Sequence, residues 1–251
     1  MTLLEGLAVF VAGIAAGTIN TIVGSGTLVT FPTLLAVGYP PVLANVSNTV
    51  GLVPGTLSGA IGYRRELGGQ RSRLLRLGVA SLLGGVMGAL LLLRLPAAAF
   101  DAIVPVLIGL GCLLVLAQPW ISRHVQPPAS APSHGSATVW VLVFSAGVYG
   151  GYFGAAQGVL LIAILGLGLV ETTQRVNAAK NILALLVNGV AAVVFILISD
   201  VSWEAAGLIA AGSIIGGQLG ATVGRRLPAP VFRGFVAVVG LVAIVKLVFV
   251  D

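Results

Sequence analysis

Charge is what this sequence has least of. Only 8% of its 251 residues are Asp, Glu, Lys or Arg, where a soluble domain carries about a quarter. No charged residue lies between Glu5 and Arg64, and none between Arg123 and Glu171. A charge at the centre of a bilayer costs at least about 2.5–3.5 kcal/mol, so uncharged stretches of this length suit lipid rather than water. Cysteine is nearly absent: Cys112 stands alone in an apolar run, which excludes an internal disulfide and a cysteine-pair metal site. The two histidines, His124 and His134, fall in one polar segment. The sequence has no His-x-x-x-His helix, no Gly-x-Ser-x-Gly elbow, no Walker-type phosphate loop and no paired carboxylates within an apolar run. It therefore offers no catalytic constellation, and neither enzyme activity, a metal nor a cofactor is expected. Without a nucleotide-binding domain, any transport is not driven directly by ATP through this chain.

What the sequence does have is apolar surface and glycine: 58% hydrophobic residues, 35 Gly and a mean hydropathy of +1.11. The expected fold class is all-α, a polytopic membrane protein of about eight spanning helices. A crossing needs about 20 apolar residues. Segments meeting or approaching this lie near 3–22, 43–63, 74–94, 99–120, 176–199, 204–224 and 231–250, while 24–37 and 138–170 are apolar but interrupted by glycine, as in broken or re-entrant helices. The start, Met1-Thr2-Leu3-Leu4-Glu5, lacks the basic n-region of a secretory signal, so the first segment reads as a retained span. Net charge is +6. The basic residues sit in loops beside apolar segments, so they set orientation in the membrane and do not point to nucleic acid.

The Pro/Ser-rich stretch 122–138 divides the chain into a first repeat, 1–121, and a second, 139–251. Gly84-Gly85-x-x-Gly88-Ala89 with Arg94-Leu95-Pro96 recurs 132 positions later as Gly216-Gly217-x-x-Gly220-Ala221 with Arg226-Leu227-Pro228. Ala16-Gly17 and Gly24 recur at an offset of 130 as Ala146-Gly147 and Gly154. The loop holding Arg64, Arg65, Arg71, Arg73 and Arg76 is expected to be cytoplasmic, as are Arg225, Arg226 and Arg233. The equivalent loop of the second repeat holds Asp200 and Glu204 without a basic residue, and is expected to face out. Equivalent loops on opposite sides mean inverted repeats, an arrangement common among secondary transporters. Arg94 runs against this pattern, with Asp101 close by in sequence.

Two constellations are candidates for binding a solute. The first is the glycine break early in each half: Asn20, Gly24, Ser25, Gly26 and Thr27, then Gly154, Gln157 and Gly158. A helix restarting after such a break presents unpaired N–H groups and a positive dipole end, which suit an anion. The alternative is that these glycines only let helices pack closely. The second constellation opens the following helix: Asn45, Ser47, Asn48 and Thr49, with Ser58 beyond, and Asn177, Lys180 and Asn181, with Asn188 beyond. At an offset of 130, Ser47 pairs with Asn177 and Ser58 with Asn188. Lys180 reads either as a cationic anchor for an anion or as a boundary cation snorkelling to the interface. Glu171 is a partner in reach of Arg175 or Lys180.

Together the segments ending at Pro32, Gly38-Tyr39-Pro40-Pro41 with Ala44–Thr49, Tyr63-Arg64-Arg65, Gly147-x-Tyr149-Gly150-Gly151-x-Phe153-Gly154, Ala178-Ala179-Lys180-Asn181 and the Gly216 segment give the chain its family resemblance. Over nearly its whole length it resembles the TauE/SafE group, the sulfite-exporter-like membrane transporters, although Asn20 and Ser25 stand where that group often has glycine. The resemblance implies a multi-pass inner-membrane protein that moves a sulfur oxyanion or organosulfonate. The resulting expectation is a secondary transporter of a small anion working by alternating access. Its partners are the anion and the lipid bilayer, and a homo-oligomer is compatible with it. An anion channel and a membrane assembly subunit are the alternative readings.

Overall fold

The computed structural model describes residues 1–124, 135–223 and 229–249. Among these residues the chain is all-helical. It runs α1 (Leu3–Ile22), α2 (Thr27–Ala36), α3 (Pro41–Gly62), a 3₁₀ turn (Arg64–Leu67), α4 (Arg71–Arg94), α5 (Ala97–His124), α6 (Ala137–Tyr152), α7 (Gln157–Gly168), α8 (Thr173–Ile198), α9 (Trp203–Thr222) and α10 (Ala229–Phe249). The central part of the Pro/Ser-rich stretch (125–134, with His134), Arg225 and Arg226-Leu227-Pro228 lie outside the described residues.

Five described helices are long and apolar enough to cross a membrane: α1, α4, α5 through Trp120, α8 and α9. By this measure the protein is multi-pass, and the five helices do not by themselves make up the expected count of about eight. The 22-residue α3 is long enough, but it carries Asn45, Ser47, Asn48, Thr49, Thr56 and Ser58. α2, α6, α7 and the stretch Arg233–Val245 of α10 are shorter apolar helices.

The recurring glycine motifs are helix contacts. α9 runs alongside α1, with Gly212 against Phe10 and Ile14 and Gly216 against Ile14 and Thr18, while Gly217 lies against Gly55 and Gly59 of α3. α4 treats the second half in the same way, with Gly84 and Gly88 against Phe144, Val148 and Tyr152 of α6 and Gly85 against Val187 and Val190 of α8. A Cβ on Gly88 would lie 2.0 Å from the Val148 carbonyl oxygen and one on Gly216 2.1 Å from that of Ile14, so the helix backbones approach as closely as glycine permits. Packing thus crosses the boundary near 122–138: a helix of each half is wedged between two helices of the other.

The two helix breaks fold back as hairpins. At the first, Gly24 (φ +87°) turns the chain so that Gly26 lies against Ala16 and Asn20, and α2 returns beside α1. At the second, Gly154 (φ +78°) turns it so that Gln157 lies against Gly150, and α7 returns beside α6 until Gly168 meets Val139. Positive φ is cheap for glycine. Ala156 holds φ +61° without that freedom, a conformation costing about 1–2 kcal/mol.

The bundle has two unlike ends. At one lie the 3₁₀ turn and the start of α8, where Arg175 Nη1 donates to the Gly68 carbonyl at 3.0 Å. At the other, the Met1 ammonium is 3.7 Å from Glu204 and the Ser202 hydroxyl donates to the Tyr39 hydroxyl at 3.0 Å. There Asp200, Leu95, Ala97 and Val42 share a surface cavity. The α1–α2 hairpin therefore begins and ends at the Asp200 end, and the α6–α7 hairpin at the arginine end.

Candidate anion site at the hairpin tips

The tips of the hairpins meet inside the bundle, where the Gly158 N–H donates to the Gly24 carbonyl at 3.0 Å. Neither returning helix has a side-chain cap on its first turn, Gly26 and Ala156 being the N-cap residues. The first N–H groups of both helices are held by short turns, those of Leu28, Val29 and Thr30 on the Ser25 and Gly26 carbonyls and those of Gln157, Val159 and Leu160 on the Gly154 and Ala156 carbonyls, and the two positive helix ends point into one buried region. Ser25 is fully buried there with its hydroxyl unpartnered among the described residues, and Gln157 is buried with its Nε2 unpartnered.

The entering helices of the hairpins, α1 and α6, end on carbonyls, and the opposite half caps each. Asn45 of α3 donates to the Tyr152 carbonyl closing α6, at 2.9 Å. Asn177 of α8 donates to the Thr21 carbonyl near the end of α1, at 3.1 Å, with Asn181 at 3.5 Å. Lys180 joins them: its Nζ donates to the carbonyls of Asn20 at 2.8 Å and Thr21 at 3.2 Å. The carbonyls at the end of α1 thus accept from Lys180, which has no exposed surface at all. It therefore does not snorkel, although it lies only about 10 Å along α8 from the helix start. Its stem runs past Gly158, where a Cβ would stand 3.0 Å from Lys180 Cδ.

The expected pairing at an offset of 130 is corrected here. Asn45 and Asn177, 132 positions apart, hold equivalent places, and so by position do Asn48 and Lys180. α7 has 12 residues where α2 has 10, which shifts the register by two after the break. Ser47 is not at the tips, since its hydroxyl accepts the Ser202 N–H at 2.9 Å near the Asp200 end. Ser58 donates to the Ile214 carbonyl at 2.9 Å and binds α9. Asn188 lies on α8 eight residues beyond Lys180 and is half-buried, away from the tips.

The other expected residues form a neutral network. The Asn20 amide donates to Thr56 at 3.1 Å, and the Asn48 amide donates to the Thr27 hydroxyl at 3.3 Å. Thr30, which the sequence did not single out, donates to Asn48 Oδ1. Thr49 donates back to the Asn45 carbonyl at 2.9 Å within its own helix.

Glu171 pairs with Arg175 Nε at 2.6 Å and Arg73 Nη1 at 3.0 Å, and not with Lys180. Gln70 adds a bond from its amide to the Arg175 carbonyl at 3.2 Å. Partial burial pushes the Glu171 carboxyl up, but hydrogen bonds from Arg175 and Arg73 and their charges outweigh it and hold the group below its usual range. The cluster ties the start of α4 to the α7–α8 connection at the arginine end. Lys180 has no carboxylate within ion-pair distance among the described residues, and those residues contain no cluster of three metal-ligating side chains.

A family model described as Sulfite exporter TauE/SafE matches residues 9–247. A probable membrane transporter protein, ORF9, of Sinorhizobium sp. is 26% identical over 95% of this chain and 90% of its own length. A probable membrane transporter protein of Haemophilus influenzae is 26% identical over 96% and 93%, and the probable membrane transporter protein YfcA of Escherichia coli K12 is 27% identical over 98% and 90%.

Proposed function

The chain belongs to the sulfite exporter TauE/SafE family of membrane transporters, and from that premise we propose that it carries a small oxyanion, of the sulfite or organosulfonate type, across the inner membrane by alternating access. The observation that carries this reading is the gathering of unpartnered buried polar groups around Lys180 at the hairpin tips. A buried Lys180 without a carboxylate lies beside the positive ends of two helices without side-chain caps, with the Ser25 hydroxyl, the Gln157 amide nitrogen and the side-chain oxygens of Asn45 and Asn177 unpartnered among the described residues. Buried donors need acceptors, and a tetrahedral or pyramidal oxyanion supplies several at once through charge-assisted hydrogen bonds. The family description supports sulfur as its central atom.

In this reading the halves are inverted repeats making about eight crossings, with the arginine end in the cytoplasm. The exchange of packing supports it: α1 lies on α9 as α6 lies on α4, and the hairpins enter from opposite ends. Described arginines gather at one end as Arg64, Arg65, Arg71, Arg73, Arg76 and Arg175, with Arg233 on Gln118 late in α5, against Arg94 at the other. Alternating access then comes from one hairpin and its partner helix sliding against the other pair, exposing the tips to each side in turn.

The test is a thermal-shift screen of purified protein against sulfite, organosulfonates and carboxylates, followed by counterflow in liposomes. Stabilisation by sulfur anions and saturable counterflow are expected. Stronger stabilisation by carboxylates would remove sulfur specificity, and flux without saturation or counterflow would make the protein a channel.

A further inference from the structure

Donors and acceptors at Lys180 do not match for an ammonium. A neutral amine has two N–H groups, and the carbonyls of Asn20 and Thr21, at 2.8 and 3.2 Å, satisfy two. An ammonium has three, and Nζ makes no third hydrogen bond among the described residues. With Gly158 against its stem and no exposed surface, the side chain has no route to water in this conformation.

No neighbouring group supplies the missing charge. Around α8, the 3₁₀ turn brings Arg64, Arg65 and Glu66, and α4 brings Arg71, Arg73, Arg76 and, at its far end, Arg94. Tyr63, after α3, packs against Ala178, α6 brings Tyr149 and Tyr152, and α8 itself brings Arg175. None hydrogen-bonds or pairs with Nζ, and Glu171 is held by Arg73 and Arg175. α2, α3 and α7 contain no Asp, Glu, Lys, Arg or His, while α1 brings only Glu5, at the opposite end.

We infer that each anion crosses together with one proton, which binds the Lys180 amine as the anion arrives and leaves with it. This rests on the anion reading of the same site. The proton comes from water on the loading side and converts the amine to an ammonium, whose third N–H then donates to the anion. On the opposite side the anion departs, the proton returns to water, and the remaining amine is again satisfied by two carbonyls. Linkage makes the coupling reciprocal, anion binding favouring the proton as much as the proton favours the anion. A monoanion and a proton move as a neutral pair, which avoids carrying an isolated charge through a low-dielectric centre.

The test uses full-length protein in liposomes with the membrane potential clamped at zero by potassium and valinomycin. The probes are radiolabelled methanesulfonate and sulfoacetate, whose sulfonates stay ionised at every working pH. With the lumen one pH unit more alkaline than outside, one proton per methanesulfonate predicts about tenfold accumulation, and an inward methanesulfonate gradient acidifies the lumen. Uptake that settles near a ratio of one overturns the proposal and leaves the anion reading intact. Uptake of neither probe above that of protein-free liposomes overturns both. Lys180→Arg, whose cation cannot shed its proton, is expected to lose the pH-driven accumulation. Retention of tenfold accumulation in that variant would remove Lys180 as the proton carrier, and if it does not fold, the wild-type ratio decides alone.

Discussion

Gly158 hands its amide hydrogen to the carbonyl of Gly24 across 3.0 Å, and this bond joins two helix hairpins that enter the bundle from opposite ends. The contact needs glycine on both sides. A Cβ on Gly24 would lie 2.3 Å from Gly158 Cα, and one on Gly158 would lie 2.4 Å from Gly24 Cα.

Gly158→Ala is therefore expected to force the tips apart and lower stability by about 1–3 kcal/mol, the usual cost of overpacking. Gly189→Ala is the matched control, a helical glycine whose added Cβ meets nothing within 4 Å. Thermal melting in detergent checks the pair: the first variant melts well below wild type and the second at or above it. Equal melting would mean that the tips are not held together by this contact.

The cross-caps predict an asymmetry. Among the described residues Asn45 is the one side-chain donor to the Tyr152 carbonyl, whereas the Thr21 carbonyl also receives Lys180 and Asn181. Asn45→Ala leaves a buried carbonyl unpaired and is expected to cost about 1–3 kcal/mol. Asn177→Ala, with two donors remaining, is expected to cost less, and comparison of the two melting temperatures decides.

Glu171 fixes a pH window. Its carboxyl titrates below the usual range because Arg175 and Arg73 favour the charged form, so the ion pairs contribute fully above the unfolded value, about 4.3, and are lost as pH falls through the lower folded value. Wild-type melting is thus expected to show no effect of this cluster between pH 6 and 8 and a decline on strong acidification. Glu171→Gln should melt lower at pH 7 and lose part of that acid-dependent decline. A Gln variant that melts like wild type at pH 7 would show the cluster to be energetically silent.

The two ends of the bundle predict labelling from opposite sides. In a Cys112→Ala background, Arg71→Cys is expected to react with a membrane-impermeant maleimide only from the cytoplasm and Asp200→Cys only from outside, both positions being exposed. Reaction of both from one side would defeat the inverted arrangement.

Much of this was legible because glycine and charge leave marks in a sequence. The breaks at Gly24 and Gly154 were visible as glycine clusters among small polar residues, and Lys180 as a lone cation in an apolar run. What holds Lys180 was not visible, because backbone carbonyls such as those of Asn20 and Thr21 have no residue signature. The equivalence of Asn45 with Asn177 was obscured by the two extra residues of α7. Arg73 and Glu171 are 98 positions apart, and only the folded chain brings them together. The GGxxGA motifs are visible as recurrences 132 positions apart, but their role as close packing surfaces depends on which helix lies opposite.

The central claim is that the hairpin tips and Lys180 hold the anion, and equilibrium binding tests it most directly. Radiolabelled sulfoacetate should bind purified wild-type protein saturably. Lys180→Met, shown to be folded by circular dichroism, should bind it at least about tenfold more weakly, as expected for loss of a charge-assisted hydrogen bond worth about 1.5–3 kcal/mol. The same dissociation constant in both proteins would contradict the account.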